Sequence, residues 1–259
     1  MRHFLFITIA ICTCLAATAQ PTDIYEKKYY VNAGDTLPYR ILLPADYDAT
    51  RSYPLVFFMH GAGERGSDNE KQLVHGAKLF LSEEARKKYP AIVVFPQCPA
   101  NSFWSNVEFK TAADGKRVFI FSDNKPPTTA MRLAQELLHQ VIASYPVEKK
   151  QIYVAGLSMG GMGTFEIVRR NPGLFAAAIP ICGGGATSTA KDLKATHWWV
   201  FHGAKDNVVP LSNSEEMVNA LEDVKAQVKF TVYPEAGHNS WDQAFAEPGL
   251  LNWLFSQHK

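Results

Sequence analysis

The feature that most constrains the fold is a series of seven short apolar runs, rich in β-branched and aromatic residues, separated by amphipathic segments. The first two are bounded by Pro and Gly, and they are apolar throughout instead of alternating with polar residues. This pattern is typical of strands in a sheet that is covered on both faces. The predicted strands are LPYRILLP (37–44), PLVFFMHG (54–61), AIVVFPQ (91–97), IYVAG (152–156), AAAIPI (176–181), HWWVFHG (197–203) and VKFTVYP (228–234).

Helical patterns lie between these runs. Ser67 with Glu70 forms a capping box ahead of KQLVHGAKLFL, and Ser212 with Glu215 does the same ahead of EMVNALEDV. In TTAMRLAQELLHQVIASY apolar side chains recur on one helical face. Strands that alternate with helices predict an α/β fold with a mostly parallel central sheet and helices on both faces. We expect one such domain over residues 20–259, a usual length for this class.

Residues 100–127 depart from the alternation and form a long excursion, with a turn predicted at Asp114-Gly115. Excursions longer than about 15 residues are usually either functional or disordered. Four aromatic residues in this one argue against disorder: Trp104, Phe109, Phe119 and Phe121. We therefore predict a small flap beside a site.

The N-terminus has a short basic start, an apolar core and the small-residue sequence ATA ahead of Gln20. These features predict a signal peptide over residues 1–19 that is cleaved after Ala19. The apolar stretch is shorter than the roughly 20 residues that span a bilayer, so we expect no permanent membrane anchor. A lipoprotein would use Cys12 or Cys14, but neither follows the small residue that lipidation requires. The mature protein is expected to be exported, to the periplasm or the medium.

The charge of the chain argues against two classes of partner. Its 26 basic and 25 acidic residues nearly cancel, and no run of Lys or Arg stands out. We therefore expect no binding to nucleic acid and no electrostatic binding to a membrane surface. The sequence has no close His/Cys cluster, so we expect no metal site and no cofactor. It carries no signal for an oligomeric state.

The segment Gly156-Leu157-Ser158-Met159-Gly160 fits the pattern G-x-S-x-G. It lies between the predicted strand IYVAG and a predicted helix, GMGTFEIVRR, which is the context of a nucleophile elbow. The glycines let the chain turn sharply, so that the serine hydroxyl is presented above the sheet. The alternative is a glycine-rich helix start with a capping serine. We predict that Ser158 is a nucleophile.

A serine hydroxyl is a weak nucleophile until a positioned base removes its proton, so a base and an acid are expected downstream. His238, in PEAGHNSW, follows the last predicted strand, whereas His258 adjoins the C-terminus. Asp206 follows HWWVFHG, and an acid there would fix the tautomer of the histidine. The alternatives are that His238 is an ordinary loop residue and that Asp206 caps a turn. Weaker candidates for the acid fall in or beside helical segments: Asp192, Asp223 and Asp242.

The loop HGAGERG (60–66) follows a predicted strand and is glycine-rich at the place where acyl-transfer enzymes hold an oxyanion. We predict that the backbone N–H groups of Ala62 and Met159 form the oxyanion hole, with Gly63 as the next candidate. 

The charged residues of this loop have a structural interpretation. His60 is expected to bond within the loop, and Glu64 with Arg65 is expected to form an internal ion pair that shapes it. The alternative for the pair is a substrate anchor.

Together these motifs resemble the α/β-hydrolase superfamily. Within it they are similar to secreted bacterial serine esterases labelled predicted peptidases, near the phospholipase/carboxylesterase and feruloyl esterase groups. The motifs that carry the resemblance are LPYRILLPADYD, YPLVFFMHGAGERGSDN, FPQCP, GLSMGGMGTF, FHGAKDNVVP and EAGHNSW. The resemblance implies a triad of Ser158, Asp206 and His238, and an oxyanion hole of Ala62 and Met159. The predicted flap matches no family pattern.

The expected activity is hydrolysis of carboxylic esters through an acyl-enzyme. Export, a near-zero net charge and a flap too short for a lipase lid favour a short acyl or hydroxycinnamoyl ester, either small or carbohydrate-linked, over a lipid. One alternative is a serine peptidase acting on short peptides, which would use the same groups. Another is a non-catalytic carbohydrate-binding or scaffold protein that retains the fold.

Four residues are candidates for substrate contact: Gly63, Gln97, Trp104 and Trp241. Trp104 in the flap and Trp241 beside His238 would form an aromatic wall suited to a sugar or a phenolic acyl group. The alternative is that one or both tryptophans pack the flap against the body of the protein.

Cleavage of the signal peptide leaves two cysteines, Cys98 and Cys182. In the strand order of the family, the strands that end near them are separated by two others, or roughly 14 Å. A disulfide requires Cα atoms within about 7 Å, so we predict two free thiols.

Overall fold

The computed structural model describes residues 22–113, 115 and 117–259. The strands are β1 (Glu26–Asn32), β2 (Asp35–Leu42), β3 (Tyr53–Met59), β4 (Ile92–Pro96), β5 (Val107–Thr111), β6 (Arg117–Phe121), β7 (Val147–Leu157), β8 (Ala177–Ile181), β9 (His197–Gly203) and β10 (Val228–Tyr233). The helices are α1 (Glu83–Lys88), α2 (Thr129–Ser144), α3 (Met159–Arg170), α4 (Ala190–Leu193), α5 (Ser212–Asp223), α6 (Trp241–Phe245) and α7 (Leu250–Ser256).

Eight strands form the central sheet in the order β1-β2-β4-β3-β7-β8-β9-β10. β2 pairs antiparallel with β1 and with β4, and the pairs from β4 to β10 are parallel. All seven strands predicted from the sequence lie in this sheet, so the prediction of an α/β fold with a mostly parallel sheet is confirmed. The sequence does not predict β1, because EKKYYVN is a largely exposed edge strand without an apolar run.

Two apolar layers cover the sheet because successive side chains of a strand point to opposite faces. In β3, Leu55, Phe57 and Met59 join one layer, and Val56 and Phe58 join the other. Helices α2, α3 and α5 pack on the first layer, whereas α6 and α7 pack on the second. This arrangement holds the carboxyl ends of β3, β7, β9 and β10 at one edge, where the candidate residues lie.

The segment KQLVHGAKLFL does not form the predicted helix. It contains two short 3-10 turns instead, Lys71–Leu73 and Ala77–Phe80. Gly76 separates them with a left-handed φ of +82°, and a Cβ there would lie 2.5 Å from the ring of Phe58. Asp68, not Ser67, caps the start, since its carboxylate accepts from the amides at positions 70 and 71. The prediction was wrong because an amphipathic pattern does not show a left-handed break inside it.

The other three predicted helices form as α2, α3 and α5. Thr128 caps α2, since its hydroxyl oxygen accepts from the Met131 amide over 3.1 Å. Ser212 is the first residue of α5 and does not cap it, because the N-cap position is Leu211.

Residues 100–127 contain an antiparallel hairpin of β5 and β6, in which Phe109 pairs with Phe119. Gly115, in the predicted turn, has a φ of +81°. The hairpin is attached to α3 because the guanidinium groups of Arg169 and Arg170 donate to backbone carbonyls of residues 122, 123 and 125. Both arginines also bind the buried carboxylate of Glu166.

Both cysteines are buried free thiols, as predicted. Burial raises the pKa of Cys98 to about 12 and also raises the pKa of Cys182.

Within the described residues, no helix has the length and apolar character needed to cross a membrane. The predicted signal peptide lies outside those residues.

Candidate active site

Ser158 lies at a sharp turn between β7 and α3, where the sequence predicted a nucleophile elbow. Its φ of +52° and ψ of −116° are a strained combination for a residue with a side chain. The turn leaves no room for side chains at two neighbouring positions. A Cβ on Gly156 would lie 2.3 Å from the Gly160 carbonyl oxygen, and a Cβ on Gly160 would lie 1.9 Å from that of Met59. The two glycines of the motif are therefore required by close backbone packing.

The structure brings the three residues predicted for a triad into one hydrogen-bonded line. Ser158 Oγ lies 2.9 Å from His238 Nε2, and His238 Nδ1 lies 2.8 Å from Asp206 Oδ2. Asp206 follows β9 and His238 follows β10, so the carboxyl ends of three strands supply the three side chains. The carboxylate is fully buried, and the imidazole is 20% exposed.

The environment of Asp206 keeps its carboxyl group ionised. Burial by itself would raise the pKa, but hydrogen bonds from His202, His238 and the amides of Val209 and Val208 outweigh it and hold the pKa well below its usual range. An ionised Asp206 accepts the Nδ1–H of His238. Nε2 is then free to accept the proton of Ser158.

The two amides predicted for an oxyanion hole line one cavity with Ser158. Met159 is the first residue of α3, and Ala62 lies in the loop after β3. Among the described residues, neither amide N–H donates to another group. Both amides thus remain without an acceptor within the described part of the protein.

His60 stabilises the loop that carries Ala62 (60–66). The Nδ1–H of His60 donates to the Gly61 carbonyl over 2.6 Å, and its Nε2 accepts from the Cys98 amide over 2.9 Å. Burial lowers the pKa of His60 to about 4, so the ring is neutral near pH 7. These contacts agree with the structural role that the sequence predicted.

Arg65 does not pair with Glu64, contrary to the prediction. Its guanidinium donates to the carbonyls of Ala62 and Ser102, over 3.0 and 3.2 Å, and so connects the loop to the flap. Arg65 is therefore bound by two backbone carbonyls and not by the Glu64 carboxylate.

A cavity of about 430 Å³ opens beside Ser158. One group of its lining residues is aromatic and belongs to the flap: Phe103, Phe109 and Phe119. Phe109 meets Phe103 and Phe119 edge to face, with ring centroids 5.6 and 5.2 Å apart. The guanidinium of Arg117 lines the same cavity, 6.0 Å from the centroid of Phe109.

A second group of lining residues combines polar side chains with an indole: Glu64, His75 and Trp241. The ring of Trp241 has its centroid 5.2 Å from that of His75 and 5.3 Å from that of His238. His75 Nε2 lies 3.9 Å from Glu64 Oε1. Glu64 Oε2 is buried and has no hydrogen-bond partner in the described part of the chain. The cavity therefore combines an aromatic wall with a carboxylate and an imidazole.

Two of the four predicted substrate contacts lie elsewhere. Gly63 and Trp241 line the cavity, but Gln97 and Trp104 are fully buried and do not. Trp104 donates its indole N–H to the carbonyl of His60, so it packs the flap against the body of the protein. 

Gln97 is a structural residue of the neighbouring loop. Its amide accepts from the Asn69 backbone over 2.7 Å and donates to the Asp68 carboxylate over 2.9 Å.

Several lining residues were not predicted as site residues. The sequence did mark Phe109 and Phe119 as ordered flap aromatics, although not as cavity residues. His75 and Arg117 carried no separate signal, because a lone histidine or arginine in a short segment is usually solvated.

One group of side chains in the described part of the chain has the spacing of metal ligands. The ligand atoms of Cys182, Asp206 and His238 lie within 4.8 Å of one another, a proximity that the sequence did not predict. His238 and Asp206 are already bonded to each other. Because burial raises the pKa of the Cys182 thiol, it stays protonated and is a poor metal ligand.

Comparison with protein families decides the class of the chain. The esterase family model, described as "Putative esterase", matches residues 32–247. The chain belongs to this esterase family. A curated relative, a "Probable feruloyl esterase C" of Aspergillus terreus, is 24% identical over 219 residues, which cover 82% of this chain and 69% of the relative.

Solved structures of esterases share the fold. A thermostable esterase is 34% identical with a TM-score of 0.81, and the match covers 92% of this chain and 64% of that chain. The feruloyl esterase module from Clostridium thermocellum, complexed with sinapinate, has a TM-score of 0.66 at 17% identity, covering 90% of this chain and 88% of the module. The present chain therefore has the α/β-hydrolase fold and is an esterase related to the feruloyl esterase group.

Proposed function

We propose that this esterase is an exported serine hydrolase that cleaves short acyl or hydroxycinnamoyl esters, either small or carbohydrate-linked, through Ser158, His238 and Asp206. The observation that carries the proposal is the continuous hydrogen-bonded line from Ser158 Oγ through His238 to Asp206. Membership of the esterase family supports the type of bond that is cleaved.

The first step forms an acyl-enzyme. Ser158 Oγ attacks the ester carbonyl carbon while its proton passes to His238 Nε2, and the amides of Ala62 and Met159 hold the oxyanion. The intermediate collapses, the ester C–O bond breaks, and the departing alcohol takes the proton from His238. Asp206 accepts from Nδ1 throughout and stabilises the charged ring.

The second step reverses these transfers with water. A water molecule attacks the acyl carbon and gives its proton to His238, and the same two amides hold the oxyanion again. When the acyl–serine bond breaks, the proton returns to Ser158 Oγ. The carboxylic acid is released and the free enzyme is restored.

The aromatic lining supports the proposed acyl group. Phe103, Phe109 and Phe119 line the cavity, and aromatic side chains pack well against a planar phenolic ring. The relatedness to feruloyl esterases is consistent with this choice. 

The polar lining supports a hydroxyl-bearing alcohol. The Glu64 side chain lines the cavity, and its Oε1 lies 3.9 Å from His75 Nε2. A carboxylate and an imidazole can bind sugar hydroxyls as acceptor and donor.

Export is proposed from the N-terminal sequence. Its basic start, apolar core and ATA sequence ahead of Gln20 have the form of a cleavable signal peptide.

Labelling by a fluorophosphonate tests the nucleophile. The probe should label the wild type and the control Ser188→Ala, whose hydroxyl bonds Asp123 on the surface, but not Ser158→Ala. A panel of p-nitrophenyl esters, methyl ferulate, acetylated xylan and peptide anilides tests the substrate. Methyl ferulate or short acyl esters should be the best substrates. A preference for anilides or for long-chain esters would overturn the substrate class.

A further inference from the structure

A second histidine lies against the acid of the proposed triad. His202, on β9, is fully buried, and its Nε2 lies 3.3 Å from Asp206 Oδ2, the oxygen that also accepts from His238. The same Nε2 lies 2.9 Å from the carbonyl oxygen of Val209. An ionised carboxylate and a carbonyl are both acceptors only. Nε2 of His202 must therefore carry a proton.

The other ring nitrogen of His202 faces a hydroxyl. Nδ1 lies 2.7 Å from Ser214 Oγ on α5, and Ser214 Oγ lies 3.1 Å from the carbonyl oxygen of Gly183. Ser214 has one hydroxyl proton, so it can donate either to Gly183 or to His202, but not to both. Both Ser214 and Gly183 are buried.

The buried carbonyl of Gly183 decides between these two arrangements. Among the described residues, Ser214 is the donor that reaches this oxygen. Were Ser214 to donate to His202, the carbonyl would be left unsatisfied in a buried site, which is destabilising. When Ser214 donates to Gly183, its oxygen accepts a second proton from Nδ1 of His202. Every acceptor in the cluster is then satisfied.

We propose that His202 carries a proton on both ring nitrogens and is the buried cation that neutralises Asp206 behind the proposed triad. The protonation follows from the contacts of His202 alone. Its role as a positioning residue rests on the proposed function. His202 Nε2 then lies 3.3 Å from Asp206 Oδ2, the oxygen that accepts from His238, while the amides of Val208 and Val209 donate to Oδ1.

The charge of His202 should affect how kcat/KM falls at acidic pH. A cation beside Asp206 offsets part of the attraction that the carboxylate exerts on a proton at His238. The titratable groups beside the Asp206 carboxylate are His202, His238 and Cys182, and burial keeps the Cys182 thiol protonated. Replacement of His202 by a neutral side chain should therefore move the acidic limb of kcat/KM to higher pH, by about one pH unit.

Imidazole ¹⁵N spectra of the full chain at pH 7 test the protonation directly. Both ring nitrogens of His202 should show attached protons, the signals being assigned by their loss in His202→Gln. In Ser214→Ala, Nδ1 loses its acceptor, and its signal should move to the unprotonated position. An unprotonated Nδ1 in the wild type would overturn the proposal, whatever the activity of the protein. Ser214→Ala also provides the assignment if His202→Gln fails to fold.

The kinetic arm separates this inference from the proposed function. The pH profile of kcat/KM is measured for the wild type and for His202→Gln, or for Ser214→Ala where the former does not fold. An acidic limb that moves to higher pH supports the positioning role. A uniform loss of rate with the acidic limb at the same pH overturns that role. If Ser158→Ala retains activity, the proposed function fails, and the spectra still decide the state of His202.

Discussion

The indole N–H of Trp104 donates to the carbonyl oxygen of His60 over 3.1 Å, so the flap and the loop that carries Ala62 are fixed to each other. The two rings also meet edge to face, with centroids 5.4 Å apart. Trp104 is fully buried, and Gly163 of α3 packs directly against its Cβ. Trp104 therefore stabilises the cavity wall without lining the cavity.

Trp104→Phe should lower the stability of the protein without changing its selectivity. The variant leaves the His60 carbonyl unpaired, which costs about 1–3 kcal/mol, and it opens a small cavity in addition. Urea denaturation should show this loss, while the ratio of KM for methyl ferulate to KM for p-nitrophenyl acetate stays within twofold of the wild type. The half-buried Trp253→Phe is the matched control for stability. A large selective rise in KM for methyl ferulate would instead indicate that Trp104 contacts the substrate.

His60 should make the stability of the protein depend on pH. Its pKa is about 4 in the folded protein against an ordinary 6.5, so between these values the unfolded chain binds the proton and the folded chain does not. The free energy of unfolding should therefore fall with decreasing pH through this window, by about 3 kcal/mol from this residue. Denaturation of the wild type and His60→Gln at several pH values checks this. The difference between the two should shrink from pH 7 to pH 4, and a constant difference would contradict the prediction.

The elements that the sequence predicted are those whose signal is local. The strand HWWVFHG forms as β9 because its apolar run is buried between two layers, and VKFTVYP forms as the half-buried edge strand β10 beside it. Ser158, Asp206 and His238 could be predicted because each follows a strand, and strands of a parallel sheet end at a common edge.

The features that the sequence did not predict depend on tertiary packing. Gly76 interrupts an amphipathic segment because Phe58 occupies the space beside it. Trp104 and Gln97 are buried because the chain folds over them, and burial of this kind has no local periodicity. His202 forms its contacts with Asp206 and Ser214 only when β9 and α5 are assembled.

Phe109→Ala should weaken the binding of aromatic acyl groups selectively. The ring lines the cavity and contacts Phe103 and Phe119, and the loss of one aromatic contact costs about 0.5–1.5 kcal/mol. KM for methyl ferulate should rise about 3- to 10-fold, while KM for p-nitrophenyl acetate changes less than twofold. Val118→Ala, at an exposed position of the same hairpin, is the control and should change neither value. Equal effects of Phe109→Ala on both substrates would show that the aromatic acyl group does not bind against Phe109.

Asp206→Asn should abolish most of the turnover while the protein stays folded. An amide at this position can donate to Nδ1 of His238, which would place the imidazole proton on the nitrogen that faces Ser158. In the triad template this wrong tautomer lowers kcat by about 10⁴. Asp242→Asn, in the first turn of α6, is the control and should retain kcat within threefold. A loss smaller than tenfold for Asp206→Asn would indicate another acid.

Glu64→Gln should lower the activity on sugar-linked esters and leave the activity on simple esters nearly unchanged. The Glu64 side chain lines the cavity, and its Oε1 lies 3.9 Å from His75 Nε2. A hydrogen bond from a sugar hydroxyl to a carboxylate contributes about 1.5–3 kcal/mol, more than one to a neutral amide. The substitution keeps the shape and removes the charge, so kcat/KM for a feruloylated arabinose ester should fall about tenfold, while that for methyl ferulate stays within twofold. The free energy of unfolding should hold or rise, since a largely buried charge without an ion-pair partner within hydrogen-bond distance is removed. Equal losses on both esters, or a clear fall in stability, would show that Glu64 supports the loop and does not contact the alcohol.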